Sequence, residues 1–363
     1  ADRALLFSAI MSIHSGLFMP RSGSMLVMVA RLWRDWRFAL ALFSLMLVGF
    51  GLLWGSIIKR SLEQLAPFFR LLANQSGLTI SVLEGMVFDG PGKMVRTMIG
   101  GDRVSLERAI DILSIVLVHP LVQLLLAMWA VGRGAAALAG ELERGTFELL
   151  LSQPVSRVNV AISNVLFDLG CWIVIAIAFT SAATAGAWWI NPLEERPLPT
   201  DIQERMNRMS WWTWSPATLF KKAPAPVDIS DRLRIEPARF MLAAPAVAAL
   251  GWSISGLAFA ASAWGRSRMA VLGGMGLVVS TMFLVNLLGQ LWEPLLVLRP
   301  LTVFYYYQPQ EPMLGIPAVV NLSEWFGPDK VALPGLWVLV VTGALGYAAG
   351  TWRFATRDLP APL

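Results

Sequence analysis

Cysteine, histidine and charge are all scarce in this chain of 363 residues. The single cysteine, Cys171, excludes an internal disulfide. The two histidines, His14 and His119, stand far apart, without cysteines or paired carboxylates at ligand spacing, so no metal-site pattern is present. Charged residues make up 15% of the chain and hydrophobic ones 56%, with a mean hydropathy of +0.60. That is too apolar for a soluble domain of ordinary composition and points to a membrane protein.

Several motifs are missing as well. No G-x-x-x-x-G-K-[ST] occurs; "GPGKM" lacks the earlier glycine spacing and the hydroxyl residue, which excludes ATP binding through a P-loop. No H-E-x-x-H occurs, and "SISG" at 253–256 lacks the leading glycine of an intramembrane serine protease motif, which leaves membrane enzymes with little support. The strand alternation that a β-barrel requires is absent. No short charged start with an apolar core and cleavage site opens the chain, so no removed signal peptide is expected.

What is present is long apolar sequence. A bilayer core of roughly 30 Å needs about 20 apolar residues. Windows at 38–58, 112–132, 158–186 (the apolar run reaching 193), 240–265, 269–292 and 331–352 meet that length. Backbone amides in lipid must be satisfied within their own segment, so all six are expected to be helices. The expected fold is therefore an all-α membrane protein: a region 1–37 at the membrane surface, a six-helix domain over 38–352, outer loops 59–111, 194–239 and 293–330, and a tail 353–363.

The net charge of +5 and the pI near 9.7 read as topology, with no nucleic-acid partner. With the N-terminus inside, the inner segments hold twelve Arg or Lys against six Asp or Glu, while the outer ones balance. The shortest loop carries Arg266 and Arg268, and Arg31, Arg34 and Arg37 precede the first span. Both termini are thus expected in the cytoplasm, in a plasma or bacterial inner membrane. Residues 4–19 place Ser8, Ser12 and Ser15 on one face and Leu6, Ile10, Ile13 and Leu17 on the other. This favours an amphipathic helix lying on the membrane over a seventh span. "MVARLWRDWR" is a second inner amphipathic piece. Among the outer loops, "SLEQLAPFFRLLANQ" is amphipathic. The Trp-rich and Pro-rich second loop is expected along the headgroups, and the prolines of "YYYQPQEPMLGIP" allow only short, broken helices.

Between spans two and three lies "GELERGTFELLLSQPVSR" at 140–157. Helix formers run over 135–151 until Pro154 stops them. Glu141, Arg144 and Glu148 recur at i, i+3 and i+7 as a polar stripe, with Leu142, Leu149 and Leu150 toward the bundle. By periodicity alone this is a short surface helix, for which a solvated, salt-bridged helix of no special role is the bland account. Inside the spans, Asp168 lies about 15 Å from the inner boundary with Asn164 one turn below. A carboxylate there costs roughly 2.5–3.5 kcal/mol on insertion scales and marks either a transport path or a structural pairing. His119, before Pro120, either faces Asp168 or fills the gap that the proline leaves. Asn286 and Gln290 pair at i, i+4, lining a cavity or bonding between helices. Gly346 and Gly350, and Gly132, Ala136 and Gly140, permit close helix contact.

The segment "ELERGTFELLLSQPVSR" resembles the cytoplasmic segment of ABC-2 type permeases, the membrane subunits of ATP-driven transporters. It is especially similar to the six-span subgroup that includes the permease of the nitrous-oxide-reductase maturation transporter. The ending "RFATRDLPAPL" looks like the family's ending too. The topological resemblance spans the chain, while motif identity covers about 18 residues. The resemblance implies a coupling helix that docks in a separate nucleotide-binding ATPase subunit. Glu141, Glu143, Arg144, Glu148 and Arg157 would be contact residues, and Gly145 and Pro154 would shape the turn. It also implies that ATP and Mg sit on that partner, with no cofactor in this chain, that a second permease chain completes the pathway, and that export is the direction. The apolar spans suit a lipid-like or amphipathic substrate. A proton-coupled secondary transporter using Asp168 and His119, or a non-transporting scaffold, are the alternatives.

Overall fold

The computed structural model describes residues 22–76, 97, 109–145, 155–190, 200, 204, 235–327 and 331–357, with side chains described for all of these except 22–24, 60–76 and 324. The calls on residues 1–21, on Glu148 and Pro154, on most of the first two outer loops and on the tail beyond Arg357 lie outside the described residues.

The described chain is almost wholly helical. α1 (Ser22–Ser76) leads into α2 (Ala109–Val118), α3 (Pro120–Ala137), α4 (Ala139–Glu143), α5 (Arg157–Ile190), α6 (Ala244–Trp264) and α7 (Arg268–Leu291). A cap of short pieces follows: α8 (Glu293–Leu296), α9 (Gln310–Met313) and α10 (Ser323–Phe326) with two 3-10 turns. An antiparallel pair of three-residue strands, β1 (Val319–Asn321) and β2 (Ala332–Pro334), completes it before α11 (Gly335–Thr356). The broken helices match the proline pattern of this loop; the strand pair is an addition to the all-α expectation. Six helical segments are long and apolar enough to cross a membrane: Met25–Lys59, Ala109–Ala137, Arg157–Ile190, Pro237–Trp264, Arg268–Leu291 and Gly335–Thr356. The protein is a multi-pass, all-α membrane protein.

Two expected breaks are absent and two unexpected ones appear. The amphipathic stretch 28–37 and the start of the first outer loop are continuous with span one in α1. At 1.5 Å per residue that helix is about 80 Å long, well beyond a hydrocarbon core of roughly 30 Å. Span two breaks at His119, which adopts φ −57°, ψ 129°, the extended geometry that a following proline imposes. The freed backbone groups are met by side chains: His119 Nδ1 accepts from Leu121 N at 3.2 Å, and Gln123 Nε2 donates to Val118 O at 2.6 Å. A second break at Leu138 separates α3 from α4. Ser262 Oγ of α6 accepts there from Leu138 N at 3.2 Å and Ala139 N at 2.8 Å.

α5 runs through the middle, packed on α1, α6 and α11. Trp172 reaches from it into α6, its indole donating to Ser255 Oγ at 3.0 Å. Gly251 makes room, since a Cβ there would lie 2.2 Å from the Trp172 ring. α6 and α11 cross backbone to backbone: a Cβ on Gly256 would sit 2.3 Å from Gly343 O, and one on Gly346 would sit 2.5 Å from Gly256 C. Gly350 packs similarly on Phe259 and Ala260, whereas Gly132 faces open space.

Candidate functional site

The packing of three helices brings four side chains to one buried point. Arg133 enters from α3, Asn164 and Asp168 from one face of α5, and Tyr347 from α11. Arg133 Nε lies 3.0 Å from Asp168 Oδ1, with both side chains at most 2% exposed. Arg133 Nη2 donates to Asn164 Oδ1 at 2.6 Å, and Tyr347 Oη donates to Asp168 Oδ2 at 3.0 Å. Asn164 anchors itself through Nδ2 to Val160 O at 3.0 Å. The guanidinium also lies 4.9 Å from the Phe167 ring centroid and 5.2 Å from that of Trp36, which adds α1 to the cluster. A buried charge is tolerable only when paired and hydrogen-bonded, and here both charges are.

Arg133 corrects the sequence-level charge count. Sitting just past the window ending at 132, it counts there as an inner-loop cation; in the fold it is buried because its i, i+4 neighbours Trp129 and Ala137 share the packed face of α3. Tyr347 is likewise absent from the sequence-level site, since a tyrosine in an apolar run gives no signal of its partner. His119 does not join the cluster. Its ring packs 5.5 Å from Phe50 and 5.0 Å from Trp54. It caps the start of α3, 14 residues and about 21 Å along the helix from Arg133.

The end of the bundle with the short loops forms a second cluster. The charged helix expected through residue 151 ends instead at Glu143, because Gly145 takes φ +67°, the left-handed region that stops a helix. Glu141 pairs with Arg144 at 2.7 Å, and Glu148 lies outside the described residues. Glu143 Oε2 accepts from Arg268 N at 2.6 Å, capping α7 where an acid favours the helix N-terminus. Arg157 Nη1 donates to Arg357 O at 2.5 Å, and Arg357 Nη1 donates to Ala263 O at 2.9 Å and Gly265 O at 3.0 Å. Burial, then the charges of Arg353 and Arg266, lower the Arg357 pKa from its ordinary value. Glu143, through Arg268 N, and Arg157, through Arg357, are thus tied to the turn at 265.

At the opposite end Asn286 and Gln290 line a cavity of about 320 Å³ beneath the cap. Arg299 Nε donates to Asn286 Oδ1 at 3.3 Å. Tyr307 Oη donates to Leu117 O at 2.7 Å, and Gln310 Nε2 donates to Ser114 Oγ at 2.6 Å, which pins the cap to α2. Burial raises the Tyr307 pKa above its ordinary value. A raised folded-state value leaves stability intact below about pH 10 and erodes it as pH rises beyond. Tyr307→Phe should therefore lose about 1 kcal/mol at neutral pH yet show a shallower alkaline decline in chemical denaturation. An unchanged alkaline slope would count against this. Among the described residues no group of three His, Cys, Asp or Glu is placed to hold a metal.

Six apolar helices around a sealed ion pair, with polar clusters at both ends, define a multi-pass membrane protein. The sequence profile of the ABC-2 family transporter protein matches residues 29–359, and the chain belongs to that family. It is the membrane permease component of an ABC transporter, a transport subunit rather than an enzyme, of a kind that normally works with a nucleotide-binding ATPase subunit. No match was found among curated proteins or solved structures.

Proposed function

We propose that this permease exports a lipid-like or amphipathic substrate, driven by a separate ATPase subunit that docks on the segment from Glu141 to Arg157 and itself holds ATP and Mg. The observation that carries the reading is the tie between that segment and the spans. Glu143 binds the first residue of α7, and Ser262 of α6 binds the break at Leu138. A push on α4 therefore reaches α6 and α7 through hydrogen bonds as well as along the chain. Glu143 and Arg144 are exposed and Glu141 is half-buried beside Arg144, at an edge where charges set orientation and register more than affinity. In this reading the short-loop end and both termini are cytoplasmic, in a plasma or bacterial inner membrane, and two such chains form the pathway. The closer likeness to the nitrous-oxide-reductase maturation subgroup rests on the 140–157 motif alone.

The geometry favours a pairing role for Asp168 and Asn164. A proton relay from His119 to Asp168 has no support, since His119 packs on Phe50 and Trp54 about 21 Å away along α3. The docking reading is tested by native purification of the ATPase-bound complex. Glu141→Ala with Glu148→Ala should leave thermal unfolding of the permease unchanged while lowering ATPase co-elution or ATP-driven transport about tenfold. Full complex yield together with full transport in that double variant overturns it.

A further inference from the structure

The cavity beneath the cap has a chemistry that coupling does not use. Its floor is the end of α7, with Asn286 and Gln290; one wall is the break between α2 and α3, with Gln123; its roof is the cap, with Arg299, Gln308 and Glu311. Two charged groups line it, and both have partners. Arg299 is bound to Asn286 and lies 5.2 Å from the Tyr305 ring centroid, and the buried Glu311 is also engaged.

Beside these charges, spare hydrogen-bonding capacity comes from carboxamides. Gln308 Oε1 is buried with no hydrogen-bond partner, a state that structures rarely leave uncompensated. Asn286 uses its oxygen on Arg299, which leaves its Nδ2 donors, and Gln123 uses its Nε2 on Val118, which leaves its oxygen. Gln290 lines the cavity with no hydrogen bond among the described residues. Both donors and acceptors thus line the space, with the aromatic residues Phe283, Phe304 and Tyr305 beside them. A hydroxyl group both donates and accepts, so it fits such a mixture better than a phosphate, carboxylate or ammonium does. Flat aromatic faces accommodate the C–H faces of a sugar ring. At about 320 Å³ the space is at the small end of ligand pockets, the scale of one or two sugar rings. Both sides are held in place, by Tyr307 and Gln310 on α2 and by Arg299 on α7.

We infer that this cavity binds a neutral, hydroxyl-rich group, a sugar carried either as a free saccharide or as the headgroup of a glycolipid. The site stands apart from the ATPase and from the direction of transport, so its test contains no nucleotide and no partner. The full chain in phosphatidylcholine nanodiscs is titrated with maltose by calorimetry. In a parallel arm it is incorporated with glucosyl-diacylglycerol and scored for retained glycolipid by mass spectrometry. Saturable binding in either arm, weakened about tenfold by Gln290→Leu and by Gln308→Leu, supports the site, and the arm that responds identifies the source. Thermal unfolding of both variants checks that the bundle is intact; should one fail to fold, Gln123→Leu takes its place. Binding in neither arm means that water alone fills the cavity and overturns the inference. So does binding that the variants leave unchanged, or competition by inorganic phosphate as strong as that by maltose.

Discussion

Arg133→Met is expected to destabilise the folded protein by about 3–5 kcal/mol, because it leaves the Asp168 carboxylate buried without its counter-charge. Asn164 loses a 2.6 Å donor in the same change. Asp168→Asn is likewise expected to be costly, since it leaves the Arg133 guanidinium buried without its counter-charge, although an amide oxygen can still accept from Tyr347. The decisive variant carries both changes. If the pair is a closed unit, the double variant should regain more than half of the stability lost in Arg133→Met, a coupling that a double-mutant cycle reads directly. Thermal unfolding in detergent, followed by intrinsic fluorescence, supplies the measurement. Simple additivity of the two losses would mean that Arg133 and Asp168 do not act on each other in the folded bundle. Transport by the double variant adds a functional readout: activity near that of the parent protein fits a structural pair, whereas its loss in a well-folded protein would return Asp168 to the path.

The second large effect is expected where α6 crosses α11. Gly256→Ala and Gly346→Ala each place a methyl group within 2.6 Å of backbone atoms on the facing helix, which cannot swing aside as a side chain does. The helices must separate, and each variant should lose about 1–3 kcal/mol or more, with poor yield of folded protein. Gly274→Ala on α7 is the matched control, for nothing lies within 4 Å of the Cβ it would add. It should be neutral or gain up to about 1 kcal/mol from reduced chain entropy. Equal losses at Gly256 and Gly274 would show that helix propensity, and not the close crossing, governs these positions.

The apolar windows are legible in the sequence because lipid imposes one rule on every span: about 20 residues without charge, with the backbone satisfied internally. The same reasoning located Asp168 and Asn164 as a costly polar face, and it located the charged segment at 140–157. Its errors are of a different kind. Arg133 reads as a loop cation because one residue beyond an apolar window looks exposed in a linear count. Of the two readings of His119, the structure bears out the one beside Pro120, where its Nδ1 caps the helix start, and not the pairing with Asp168, from which depth along the helix separates it. The helix expected to run unbroken from 135 is interrupted at Leu138 and ends at Glu143, before Gly145 with its left-handed φ.

By itself, then, the sequence determined the class of solvent, the number of spans, the lack of a nucleotide-binding loop and the motif that carries the family likeness. Each of these depends on local composition or on residues adjacent in the chain. Tertiary structure alone decided which helix faces meet. It joined Arg133 to Asp168 across 35 residues and Tyr347 to Asp168 across 179, set Glu143 on the first amide of α7, and gathered the carboxamides of α3, α7 and the cap around one cavity. Those contacts depend on the rotation and depth at which helices pack, which small residues such as Gly256 and Gly346 set by allowing close approach. No linear pattern in the chain encodes that geometry.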